Sequence, residues 1–148
     1  MAANPLIQLG SLNRLRGSVL FDAFPSLDVN AQNMTKEAIK LGIDGDMTQF
    51  LAAMAGAVTS PEPWMMFSFS VGIVKTVALA ALYKAAWEND TRLGNCSIRL
   101  DTAAIPPFDV VNAAIEGVDG LDSGGTNPAF TVRFKSTYYV NNAMWNAA

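Results

Sequence analysis

Apolar and polar residues alternate with period two along most of this chain, and the alternation predicts strands. The clearest case is the last third. Phe130, Val132 and Phe134 fall on one side, and Thr131, Arg133, Lys135 and Thr137 on the other. This predicts a strand over 129–140 with one apolar and one ionic face. A companion strand is predicted over 108–118. The glycine-rich loop between them carries Asp119 and Asp122 and no basic residue. The same pattern predicts strands over 14–24 (Leu15, Val19, Phe21 and Ala23 inward), 35–43 (Ile39, Leu41 and Ile43), 64–73 (Met65, Phe67, Phe69 and Val71) and 95–101 (Cys96, Ile98 and Leu100). Leu27 to Asn30 can resume pairing after the break imposed by Pro25.

Two segments break the period. Val77, Ala78, Ala81, Leu82 and Ala85 have the spacing of an amphipathic helix, with Thr76 as its N-cap and Asn89-Asp90 as its end. Residues 46–62 are small and apolar; they suit a short helix over Thr48–Ala57, or a loop closed by Ser60-Pro61-Glu62-Pro63. Asp44-Gly45 before them is a tight-turn signal. Asn4-Pro5 and Gly10-Ser11 mark residues 1–13 as an extended arm, and 141–148 reads as a loosely held tail in which Met144 and Trp145 are the docking candidates. The sum is a mainly β fold, a sandwich or barrel of about six to seven strands with one flanking helix, in a single domain over 1–148.

Composition changes this picture in one direction. Only 16% of the 148 residues are charged while 51% are hydrophobic, against ~25% charged in an average domain. A membrane span does not account for this. The weakly charged run from Pro63 stops at Lys75, short of the ~20 residues a spanning helix needs, and Met1–Pro5 lacks a signal-peptide pattern. Burial against other copies accounts for it better. The net charge of −3 and the pI of about 4.7 argue against a grip on phosphate backbones.

The chain is poor in chemistry. It has no histidine and one cysteine, Cys96, which reads as a small core residue. A serine triad therefore lacks its usual base, no Ser-x-x-Lys or phosphate-cradling glycine motif occurs, and no ligand set calls for a metal or cofactor. Asp119 with Asp122, and Asp44 with Asp46, read as solvated turns, with weak cation binding the alternative. The aromatic stripes read as core. We expect no enzyme.

The run Ile115-Glu116-Gly117-Val118-Asp119-Gly120-Leu121-Asp122, followed by Phe130-Thr131-Val132-Arg133-Phe134, resembles tail tube proteins of contractile-tailed bacteriophages. The strand around Arg14–Asp22 and the helix after Val74 share that layout, and the likeness spans about residues 12–140. It implies a structural virion protein of the tail, assembled in the host cytoplasm. Its subunits would close hexameric rings around an inner β-barrel and stack into a tube that passes DNA without specific binding. Partners would be copies of the chain, a tail sheath and baseplate proteins. The inter-ring loop would map to 44–62, with Asp44, Asp46, Phe50, Leu51 and Met54 as its candidate contacts. Glu116, Asp119, Asp122, Arg133 and Lys135 would serve subunit contact or line the bore. Another ring-forming tail component, a terminator or baseplate tube protein, is the near alternative; a small ligand-binding β-barrel built on the Phe and Met stripes is the distant one.

Overall fold

The computed structural model describes Leu6, residues 9–100 and residues 104–145, with Arg14, Glu37 and Trp145 described in backbone only. Its elements are β1 (Ser18–Phe21), β2 (Met34–Asp44), β3 (Thr48–Ala53), β4 (Gly56–Pro61), β5 (Trp64–Val74), α1 (Ala78–Asn89), β6 (Arg92–Arg99), β7 (Phe108–Asp119), β8 (Ala129–Tyr139) and the single turn α2 (Asn142–Trp145). Six strands form one antiparallel sheet in the order β1-β6-β7-β8-β5-β2, while β3 and β4 pair only with each other. The sheet is curled into a half-barrel, mainly β as the alternation implies.

Register turns the sequence alternation into two faces. Ile39, Val71, Val132 and Val118 line up across β2, β5, β8 and β7, and the next inward row is Leu41, Phe69, Phe134 and Ile115. These rows pack the core with Phe21, Leu27, Leu79, Tyr83, Leu93, Cys96 and Ile98. Phe69 and Phe134 stack at 4.7 Å, and Phe21 and Tyr83 close on the same Phe134 ring at 5.8 and 6.1 Å. Tyr83 is fully buried, and its hydroxyl donates to the Leu27 carbonyl at 2.7 Å, so the phenol enters the core with its polar tip satisfied. Burial, with Asp28 nearby, pushes that phenol well above its ordinary range. Ser136 is likewise buried, donating to the Phe67 carbonyl at 3.1 Å.

Several expectations are corrected. Residues 14–16 form a 3-10 turn rather than strand, and Leu15 and Ala23 are exposed; β1 is only Ser18–Phe21, and Val29 then adds one isolated bridge to Val19. The segment over Thr48–Ala57 is not a short helix but the first strand and turn of the β3–β4 hairpin. β6 begins at Arg92, three residues before the expected start, and Leu100 is only half-buried. The N-cap of α1 is Val77, without a side-chain cap, rather than Thr76. The helix also turns its other side inward. Leu79 and Tyr83 are buried, while Ala78, Ala81, Leu82 and Ala85 face solvent. Both sides of this helix are apolar, so spacing alone selects neither, and the large Tyr83 decides by filling the space above Phe134. Met144 is exposed rather than docked. Met1–Pro5, Asp101 and the end of the tail, 146–148, lie outside the described residues.

Candidate functional site

The second face of the sheet is built from small and ionic residues. One row across it is Lys40, Ser70, Arg133 and Gly117; the next is Gly42, Ser68, Lys135 and Ala114. Glycine, serine and alanine leave room for the long side chains to lie along the sheet. At Gly117 a Cβ would collide with the Arg133 guanidinium, so this glycine is the bed on which that side chain rests. The result is a shallow depression of about 400 Å3 bordered by Lys40, Asp44, Ser70, Glu116, Arg133 and Lys135.

Its charges are paired within the chain. Arg133 Nε lies 2.7 Å from Asp119 Oδ2, and its Nη1 lies 3.7 Å from Glu116 Oε1. Lys135 Nζ lies 3.5 Å from Asp44 Oδ2, which also accepts from the Ser68 hydroxyl at 2.9 Å. Of the residues singled out in sequence, the fold thus gathers Asp44, Glu116, Asp119, Arg133 and Lys135 on one face. Asp44, which the resemblance assigns to the inter-ring loop, joins this face because β2 extends to it and its register sets it opposite Met66.

Asp122 stands apart. It belongs to a latch in which Lys75 Nζ donates to the Asp122 carbonyl at 2.7 Å and sits 3.5 Å from its carboxylate. Asn127 donates to the same carboxylate at 2.8 Å. That hydrogen bond, helped by the Lys75 charge, holds the Asp122 carboxyl below the usual carboxylate range. Cys96 is buried, and burial pushes its thiol up to about 12, leaving it a core residue rather than a nucleophile at neutral pH. Among the described residues no cluster of three or more His, Cys, Asp or Glu is placed to hold a metal, and no helix is long and apolar enough to cross a membrane.

The remaining candidates, Phe50, Leu51 and Met54, lie on the β3–β4 hairpin with Val58. From Met47 to Pro61 the chain has no charged residue. Leu51 opposes Val58 on one face of the hairpin and Phe50 opposes Thr59 on the other. Phe50 is 71% exposed, and Met54 at the tip is fully exposed. Asp46 is exposed in the turn that leads in. The neck is fixed: Glu62 N–H donates to the Met47 carbonyl at 2.9 Å, and Asn141 Nδ2 donates to the Met47 and Glu62 carbonyls at 3.3 and 2.8 Å. Sequence reasoning missed Asn141, Gly117 and Lys75. The first has a local signal, since its φ of 55° is one that asparagine tolerates better than most residues; the other two act through partners distant in sequence.

No protein-family model matches the chain, and no curated protein matches it. Among solved structures it is similar to a chain from the virion of a native gene transfer agent particle, at 12% identity and a TM-score of 0.54, over 88% of this chain and 99% of that one. At that identity the likeness is one of fold.

Proposed function

We propose that this protein is a structural subunit of a phage-like virion, and more specifically a wall element of a tail tube formed from stacked hexameric rings. The observation that carries the reading is the β3–β4 hairpin. A two-stranded hairpin has too little buried surface to be stable alone in water. An uncharged, apolar hairpin with both faces exposed is also an open template for association. Such an element becomes ordered and soluble when another subunit covers it, and hydrogen bonds to Met47 and Glu62 fix its neck. The fold likeness to a virion chain supports the same context.

The outermost long strand β2 leaves one sheet edge open, and pairing it with the next copy would close a ring. The face of paired charges then suits a bore that passes DNA. Arg133 and Lys135 are neutralised by Asp119, Glu116 and Asp44, so they offer phosphates no unpaired cation. A sheath and baseplate proteins would be the further partners, and the virion tail the location. The role needs no catalysis.

Electron microscopy of the purified protein tests the reading, with tubes of stacked rings as the expected result. The double variant Phe50→Asp/Leu51→Asp should remain folded and monodisperse yet fail to stack. Closed single rings from the unmodified protein would favour a terminator or baseplate component. Dispersed monomers at high concentration would overturn the reading.

A further inference from the structure

The neck of the β3–β4 hairpin is poor in hydrogen-bond donors. Its outgoing side reads Pro61-Glu62-Pro63, and neither proline has an N–H. The donor between them, Glu62 N–H, is taken by the Met47 carbonyl. The hairpin therefore hangs from two strands tied to each other, one leaving the turn at Gly45 (φ 85°) and the other ending at Pro63. Two attachment points define an axis about which a hairpin can swing. A third point, off that axis, stops the swing.

Asn141 supplies the third point. β8 pairs with β5 as far as Tyr139 opposite Trp64, and Val140 N–H then donates to the Pro63 carbonyl at 3.3 Å. Beyond that bond the backbone turns to φ 55° at Asn141, and its side chain rather than its main chain reaches the neck. The amide nitrogen carries two hydrogens and meets two acceptors, the Glu62 carbonyl at 2.8 Å and the Met47 carbonyl at 3.3 Å. It bridges both strands of the neck. Met144 N–H donates to the Asn141 carbonyl at 3.1 Å, so the turn α2 braces the residue from behind. The clamp comes from the end of β8, whereas the hairpin is covalently continuous with β2 and β5. Its direction is thereby tied to the strand that carries Arg133 and Lys135.

We propose that Asn141 is the positioning residue of the hairpin. Its amide holds the apolar surface of Phe50, Leu51 and Val58 at one angle to the sheet before a partner arrives. A surface fixed in advance loses less freedom on binding, so association is tighter. The clamp belongs to the single subunit; its effect on assembly rests on the tube reading.

Distances between spin labels test the clamp. The labels go on Met54→Cys at the hairpin tip and Lys84→Cys on α1, both exposed, while native Cys96 is buried and stays unlabelled. The Phe50→Asp/Leu51→Asp background keeps the subunits dispersed. With Asn141 present the expected distance distribution is narrow. Asn141→Gly accepts the backbone angle but lacks the amide, and Asn141→Asp keeps the shape but lacks the donors. Both should broaden the distribution, raising the ratio of swung to clamped hairpins about tenfold, with the melting temperature unchanged. A distribution as narrow as that of the parent, or one already broad in the parent, would overturn the proposal. Broadening that comes only with a fall in melting temperature would also overturn it, because Asn141 would then support the fold rather than the hairpin. Microscopy separates this from the tube reading. In the otherwise unmodified chain, Asn141→Gly should need about tenfold more protein to form tubes. Tubes at an unchanged concentration refute the link to assembly. Absence of tubes from the unmodified protein refutes the tube reading, and the distances still decide the clamp.

Discussion

The β3–β4 hairpin and the β7–β8 hairpin are made from similar material and come to opposite ends. Both are antiparallel strand pairs joined across a glycine-containing connection. In β7–β8 one face meets α1 and the remaining core, so Phe130, Val132 and Phe134 are buried while Arg133 and Lys135 remain outside. In β3–β4 no second layer arrives, and Phe50, Leu51 and Val58 stay in solvent. Alternation therefore specifies which residues share a face, but not whether that face is covered. The uncovered hairpin lacks the charged outer face that protects β8, and under the proposed function another subunit would cover it.

Truncation should separate the two hairpins most sharply. Phe134→Ala removes the ring that stacks on Phe69 and supports Phe21 and Tyr83, and should cost about 3–5 kcal/mol. Phe50→Ala should change the stability of the isolated subunit by less than about 0.5 kcal/mol. Urea denaturation of both variants checks this, and equal losses would mean that the hairpin packs on its own chain.

Alkaline pH probes the covered side again. Cys96 sits near 12 in the folded protein against an ordinary 9.0. The unfolded chain therefore releases this proton first, so its contribution to stability is complete below about pH 9 and declines as pH rises from there toward 12. Thiol labelling at pH 8 should be negligible until denaturant is added. Rapid labelling of the native protein would show that the layer over β6 opens.

Tyr83→Phe keeps the ring and deletes the hydroxyl that donates to Leu27, and should cost about 1 kcal/mol by thermal or urea unfolding. Arg133→Gln, on the ionic face of β8, should cost less than about 1 kcal/mol, an effect that shrinks further in salt because its ion pairs are half exposed. A loss as large as that of Phe134→Ala would mean that the ionic face is not a solvated surface. The smallest effect belongs to the loop latch. Asp122 is held below the ordinary carboxylate range, so the latch is complete above that range and released as pH falls through the lowered value. Asn127→Ala should raise the Asp122 value toward normal in an NMR titration.

Strand content and most strand faces were legible in the sequence because side chains on a strand alternate whatever lies beyond them. Phe67, Phe69, Phe130, Phe134 and Cys96 are core, as their positions imply. The inward side of α1 was not legible, since alanines and leucines occupy both sides and only the packing of Tyr83 against Phe134 chooses. Nor was the hairpin at 48–61, where small apolar residues satisfy helix and strand spacing alike.

By itself, then, the sequence determined a charge-poor, mainly β chain with one helix and an alternating ionic strand near its end. Local periodicity and composition are properties of neighbouring residues, so they survive without any knowledge of contacts. The tertiary structure alone decided that Asp44 meets Lys135 across 91 residues, that Gly117 makes room for Arg133, and that Asn141 clamps the neck of a hairpin some 80 residues earlier. Those pairings depend on strand order and register, which long-range packing sets and no local pattern encodes.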